Sequence, residues 1–104
     1  MKKLVNHYTY LVEWSEEDEA YLAHCIELGI IAHGDTQEDA LHEAKEAAMA
    51  GLEVLKTSEI PDPLSLQKFS GKLNLRMTPQ KHREIAIQAK SQGVSINHYI
   101  VSRL

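Results

Sequence analysis

Residues 7–14, HYTYLVEW, concentrate Tyr, Thr, Val and Trp, which predicts a β-strand. SEEDE at 15–19 is an acidic turn, and AYLAHCI at 20–26 predicts a second strand, so the pair forms a hairpin. Glu27-Leu28-Gly29 breaks the chain before a third short strand, IIAHG at 30–34. The period then changes from two to 3.6. Leu41, Ala44, Ala48, Leu52 and Leu55 recur at three- and four-residue steps and make one apolar helical stripe. Thr36 stands where an N-cap belongs, Glu38 and Asp39 fall in the first turn, and Lys56 lies near the end, each favoured by the helix dipole. Residues 57–71, TSEIPDPLSLQKFSG, hold two of the three prolines and form a candidate linker, with a short edge strand expected around Leu64–Phe69.

The last third returns to period two. KLNLRM at 72–77 puts Leu73, Leu75 and Met77 on one face of a strand and Lys72, Asn74 and Arg76 on the other. Thr78-Pro79 then starts a helix, with Thr as N-cap and Pro at the first helical position. Ile85, Ala86 and Ala89 share a face, and Gly93 ends the helix as a C′ glycine does. Ser95 caps a second helix with an apolar stripe of Ile96, Tyr99, Ile100 and Leu104. These patterns predict an α+β chain: an N-terminal domain at 1–58 with a three- to four-stranded sheet and one helix, a linker at 59–71, and a strand-helix-helix module at 72–104.

Charge sharpens that division. The net charge of −4 hides fourteen acids against five Lys/Arg in residues 1–69, and six Lys/Arg against Glu84 alone in residues 70–104. A net of −9 followed by +5 points to two parts with different partners. There is no run of about 18 apolar residues, so no membrane span is expected. No apolar stretch follows Lys2 and Lys3, so no signal peptide is expected, and the single cysteine, Cys25, fits a reduced, cytoplasmic setting.

The C-terminal module is too small to bury a core of its own, and a lone strand leaves its ladder groups unpaired. Two copies pairing strand to strand remove both problems. Leu73, Leu75, Met77, Ile85, Ala89, Ile96 and Ile100 then form a shared dimer core, and two rows of Lys72, Asn74 and Arg76 face outward. A two-stranded ribbon fits the major groove of DNA, where Arg pairs with guanine and Asn with adenine. Ser95 and Asn97, at a helix start, suit a DNA phosphate.

Lys72-Leu73-Asn74-Leu75-Arg76, Pro79 and Gly93-Val94-Ser95-Ile96-Asn97 resemble the ribbon-helix-helix family of DNA-binding repressors. The resemblance implies base reading by Lys72, Asn74 and Arg76, and phosphate binding by Ser95 and Asn97. Residues 8–14, the acidic turn, Tyr21–Cys25, Gly34-Asp35-Thr36 and Glu38–Leu41 resemble the HicB-type antitoxin domain, with Glu27-Leu28-Gly29 where many members have a proline-glycine turn. Ile60-Pro61-Asp62-Pro63 and Ser70-Gly71-Lys72 look like the joint of HicB proteins that end in a ribbon-helix-helix module. That resemblance implies a truncated RNase H-like domain that blocks HicA, a small basic RNA-cleaving toxin, and a C-terminal module that represses the operon as a dimer or tetramer.

Other readings have less behind them. Glu16, Glu17, Asp18 and Glu19 are candidate toxin contacts, although a charge run is ordinarily a solvated turn. His24, Cys25 and His33 match no standard zinc spacing, so no metal or cofactor is expected. A nucleophilic Cys25 would need an activating base. Nuclease chemistry needs converging carboxylates, and Glu13, Asp18, Asp39 and Glu43 are not spaced for it, so no enzymatic activity is expected. A standalone repressor with a ligand-sensing or oligomerising N-terminal domain is the alternative to the antitoxin.

Overall fold

The structure, a computed structural model, describes residues 2–104, with side chains from Leu4 onward. The chain divides into two compact units, Met1–Phe69 and Ser70–Leu104.

In the first unit a one-turn helix α1 (Lys2–Val5) leads to strands β1 (Tyr10–Ser15), β2 (Ala20–Cys25) and β3 (Ile30–Gly34). They form one antiparallel sheet in the order β1-β2-β3, with Tyr10 opposite Cys25 and Cys25 opposite Ile30. The first strand starts three residues later than the apolar run suggests. His7 N–H donates to the Leu4 carbonyl (2.9 Å), so the chain leaves α1 in a turn and Tyr8 enters the core instead of the sheet.

Helix α2 (Gln37–Val54) covers one face of the sheet. Thr36 caps it as the sequence predicts, its Oγ1 accepting from the Asp39 amide at 3.0 Å. The buried row is Ala40, Ala44, Ala48 and Leu52: the predicted Ala44, Ala48 and Leu52 are in it, while Ala40 takes the place expected for Leu41, which is only half-buried, as is Leu55. The small alanines let the helix lie close to Tyr10, Val12, Tyr21, Ala23 and Ala32. A second cluster joins Val5, Tyr8, Cys25, Ala48 and Leu52.

The edge strand expected around Leu64–Phe69 is absent. Residues Leu64–Leu66 form a 3₁₀ turn, with Leu66 N–H donating to the Pro63 carbonyl (2.9 Å). Prolines 61 and 63 lack the amide donors a ladder needs. Pro63 is buried, so this proline segment packs into the first unit.

In the second unit α3 (Pro79–Ser91) and α4 (Ile96–Ser102) pack on each other. Thr78 and Ser95 are their N-caps, as predicted, with hydroxyls accepting from Lys81 N–H (3.2 Å) and His98 N–H (3.0 Å). Gly93 adopts φ +70°; its N–H donates to the Lys90 carbonyl and that of Val94 to the Ala89 carbonyl, the two bonds of a Schellman motif. The strand predicted at 72–77 is not formed within the single chain. Its ladder groups have no partner strand in this unit, and strand pairing cannot be satisfied locally as a helix can.

Candidate partner and nucleic-acid interfaces

Ser70 Oγ accepts from the Lys72 amide at 3.1 Å and Gly71 takes φ +81°, so the chain turns sharply into KLNLRM. Lys72, Asn74 and Arg76 are all exposed. So are the apolar residues between them: Leu73 is 86% and Leu75 58% accessible, while Met77 is half-buried. Of the expected dimer-core residues only Ala89 is buried within the chain; Ile85, Ile96 and Ile100 are half-buried. Ile87, Val101 and Leu104 are exposed as well. The Ser95 hydroxyl spends its acceptor on the helix cap and keeps its O–H to donate. Asn97 is exposed in the first turn of α4, and Arg103 lies 4.8 Å over the Tyr99 ring.

In the first unit, alternation separates the residues singled out by sequence. His24 and Glu13 share the face away from α2, with Nε2 and Oε1 3.2 Å apart, while the neighbouring Cys25 points into the core. Burial pushes the Cys25 thiol up, with smaller opposing effects from hydrogen bonds of Leu28 and Tyr10, and a protonated thiol is a poor nucleophile. Among the described residues no group of three or more His, Cys, Asp or Glu is placed to hold a metal ion. In the acidic turn, Asp18 is held locally: its amide donates to Ser15 Oγ, which donates to Asp18 Oδ2 (3.2 and 3.1 Å). Glu16, Glu17 and Glu19 are exposed.

Two features were missed in the sequence pattern. The first is Glu27. Its carboxylate accepts from the Thr9 amide (2.8 Å), the Thr9 hydroxyl (3.1 Å) and the Leu64 amide (3.0 Å). Burial alone would raise its pKa, but these bonds outweigh burial and hold it below the ordinary value. With Tyr8 Oη donating to the Pro61 carbonyl (2.8 Å), Glu27 fastens the proline segment across 37 to 53 residues of sequence. The second is a groove of about 570 Å³ along β3, open on one side. Ile31 and His33 line it from the strand, Asp35 from the loop, and Asp39, His42 and Glu43 from α2. The spacing of Asp39 and Glu43, four residues apart on one helix, was the available hint.

Residues 54–104 match the family model described as the HicB family. The match runs from the last residue of α2 through the proline segment and the whole second unit. No curated protein and no solved structure matches the chain.

Proposed function

We propose that this HicB-type protein is an antitoxin with two interfaces. The first unit binds and neutralises a HicA-type mRNA-cleaving toxin. The second pairs with a second copy as a ribbon-helix-helix dimer and represses its own operon. The family match supports a toxin–antitoxin role. The observation that carries the DNA half is the second unit itself: 35 residues, a net charge of +5, and one buried apolar side chain beside exposed Leu73, Leu75, Ile87 and Val101. Such a surface has the size, the charge and the missing core of half a dimer.

In this reading residues 72–77 become a strand on pairing. Leu73, Leu75 and Met77 turn inward, and Lys72, Asn74 and Arg76 read bases. Ser95 and Asn97 hold phosphate. The first unit is read as a truncated RNase H-like domain whose net charge of −9 suits a basic toxin.

The test is a binding titration on DNA upstream of the gene, with the association state followed in parallel. Asn74→Ala and Arg76→Ala should each weaken binding by about 1–3 kcal/mol and relax sequence preference. Ser95→Ala should weaken binding alike on all sequences. Unchanged operator binding by both strand variants removes the strand as the reader. A standalone repressor is favoured by one observation, that the family match leaves the sheet of the first unit unmatched. Failure of a small basic protein encoded beside the gene to co-purify would select it.

A further inference from the structure

We propose that the free edge of β3, with the acidic face of α2 beside it, is where the toxin docks, by adding an extended basic segment of its own to the sheet. This rests on the antitoxin reading and deepens it.

Three observations converge. The sheet order leaves β3 with a neighbour on one side only, so about half of the backbone groups of Ile30–Gly34 face away from β2. That edge carries neither lysine nor proline nor a bulge, the devices that ordinarily block strand addition. The groove running along it is acidic: Asp39 and Glu43 stand with His42 on its α2 wall, and Asp35 lies at its loop end. None of the three acids forms an ion pair among the described residues.

The occupant follows from the lining. A volume of about 570 Å³ lies within the range of small-molecule sites. Such sites are enclosed and mostly apolar, however, and this one is open and lined chiefly by carboxylates and imidazoles. A strand laid against β3 satisfies the free backbone groups, and its alternate side chains reach α2. Lys or Arg at those positions meets Asp39 and Glu43. A second copy of this chain fits poorly, because pairing β3 with β3 brings two sets of the same acids together. The other edge, β1, is less suited to a basic segment, since the Lys45 ammonium lies 5.9 Å over the Tyr10 ring there.

The experiment uses the full chain and the HicA-type protein encoded beside it. Wild-type binding tests the antitoxin reading on its own: no complex with the wild-type chain overturns that reading and this inference with it. Given a complex, the variant Asp39→Lys/Glu43→Lys is compared with one in which Glu16 and Glu17 are changed to Lys. Both sets are exposed, and circular dichroism checks that each variant keeps its fold. The groove variant should bind at least tenfold more weakly. The variant of the acidic turn, the rival contact surface named from the sequence, should stay within about twofold of wild type, and a tenfold loss there with none at the groove overturns the inference. Amide exchange should then show new protection on alternate residues of Ile30–Gly34 in the wild-type complex. Undiminished binding by the groove variant, or protection that bypasses β3, overturns the inference while leaving the antitoxin reading intact. Self-association of the wild-type first unit through β3, seen as the same protection without toxin, overturns it also.

Discussion

The two units reach stability by opposite routes. The first closes its core within one chain: Val5, Tyr8, Cys25, Ala48 and Leu52 form one buried cluster and Ala23, Ala40 and Ala44 another. The second forms its helices and their caps but buries Ala89 as its one apolar core side chain. Capped helices therefore form in both, whereas only the first builds clusters of buried side chains. Caps and turns need a few neighbouring residues, but a core needs enough chain to surround it. A short chain can thus hold a finished domain next to a half-finished one.

The comparison breaks most visibly at Leu75. In the proposed dimer, Leu75→Asp removes about 1.5–3 kcal/mol of apolar burial per copy and puts two carboxylates into a shared core. Self-association should fall at least a hundredfold by sedimentation, while the unfolding transition of the first unit stays in place. Leu52→Ala should do the reverse. It opens a cavity in a closed core and should cost about 2–5 kcal/mol in denaturant unfolding without changing self-association.

Gly34→Ala should cost the first unit about 1–3 kcal/mol. A Cβ there would stand 2.5 Å from the Ala40 nitrogen and 2.8 Å from the Asp39 backbone, atoms that cannot swing aside. The smallest effect is expected at Glu27. Its folded pKa lies below its ordinary 4.5, so its contribution is present above about pH 4.5 and fades as the pH falls through the lower folded value. Glu27→Gln should cost about 1 kcal/mol at neutral pH, because an amide offers one acceptor oxygen where the carboxylate uses two. Melting temperatures of the variant should vary less with pH between about 5 and 3 than those of wild type. Equal pH profiles would show that the carboxylate does not fasten the proline segment.

What was legible in the sequence divides along the same line. Thr36, Thr78 and Ser95 as caps, and Gly93 as a helix stop, rest on contacts spanning at most five residues, and each stands where the pattern puts it. The hairpin and β3 were legible because their turns close over five residues, with Ser15 opposite Ala20 and Cys25 opposite Ile30. The buried row of α2 was misjudged by one position, because hydrophobicity favours Leu41 whereas close approach to the sheet selects Ala40. The Glu27 and Tyr8 bonds join residues 37 and 53 positions apart, and no local pattern encodes them. KLNLRM shows strand alternation without strand pairing, since alternation belongs to one chain and pairing takes two. The β3 groove escaped notice because its acids come from a loop and a helix face that look separately like ordinary solvated surface.

The unpaired state of residues 72–77 has a consequence for dose. In the proposed dimer the DNA-reading ribbon exists only where two chains meet, so below the dissociation constant its amount varies with the square of chain concentration. Halving the free protein then leaves one quarter of the ribbon. If the chain represses as proposed, its proteolysis would lift repression faster than it depletes the chains, and pairing through Leu73 and Leu75 would make the operon a steep gauge of its own product.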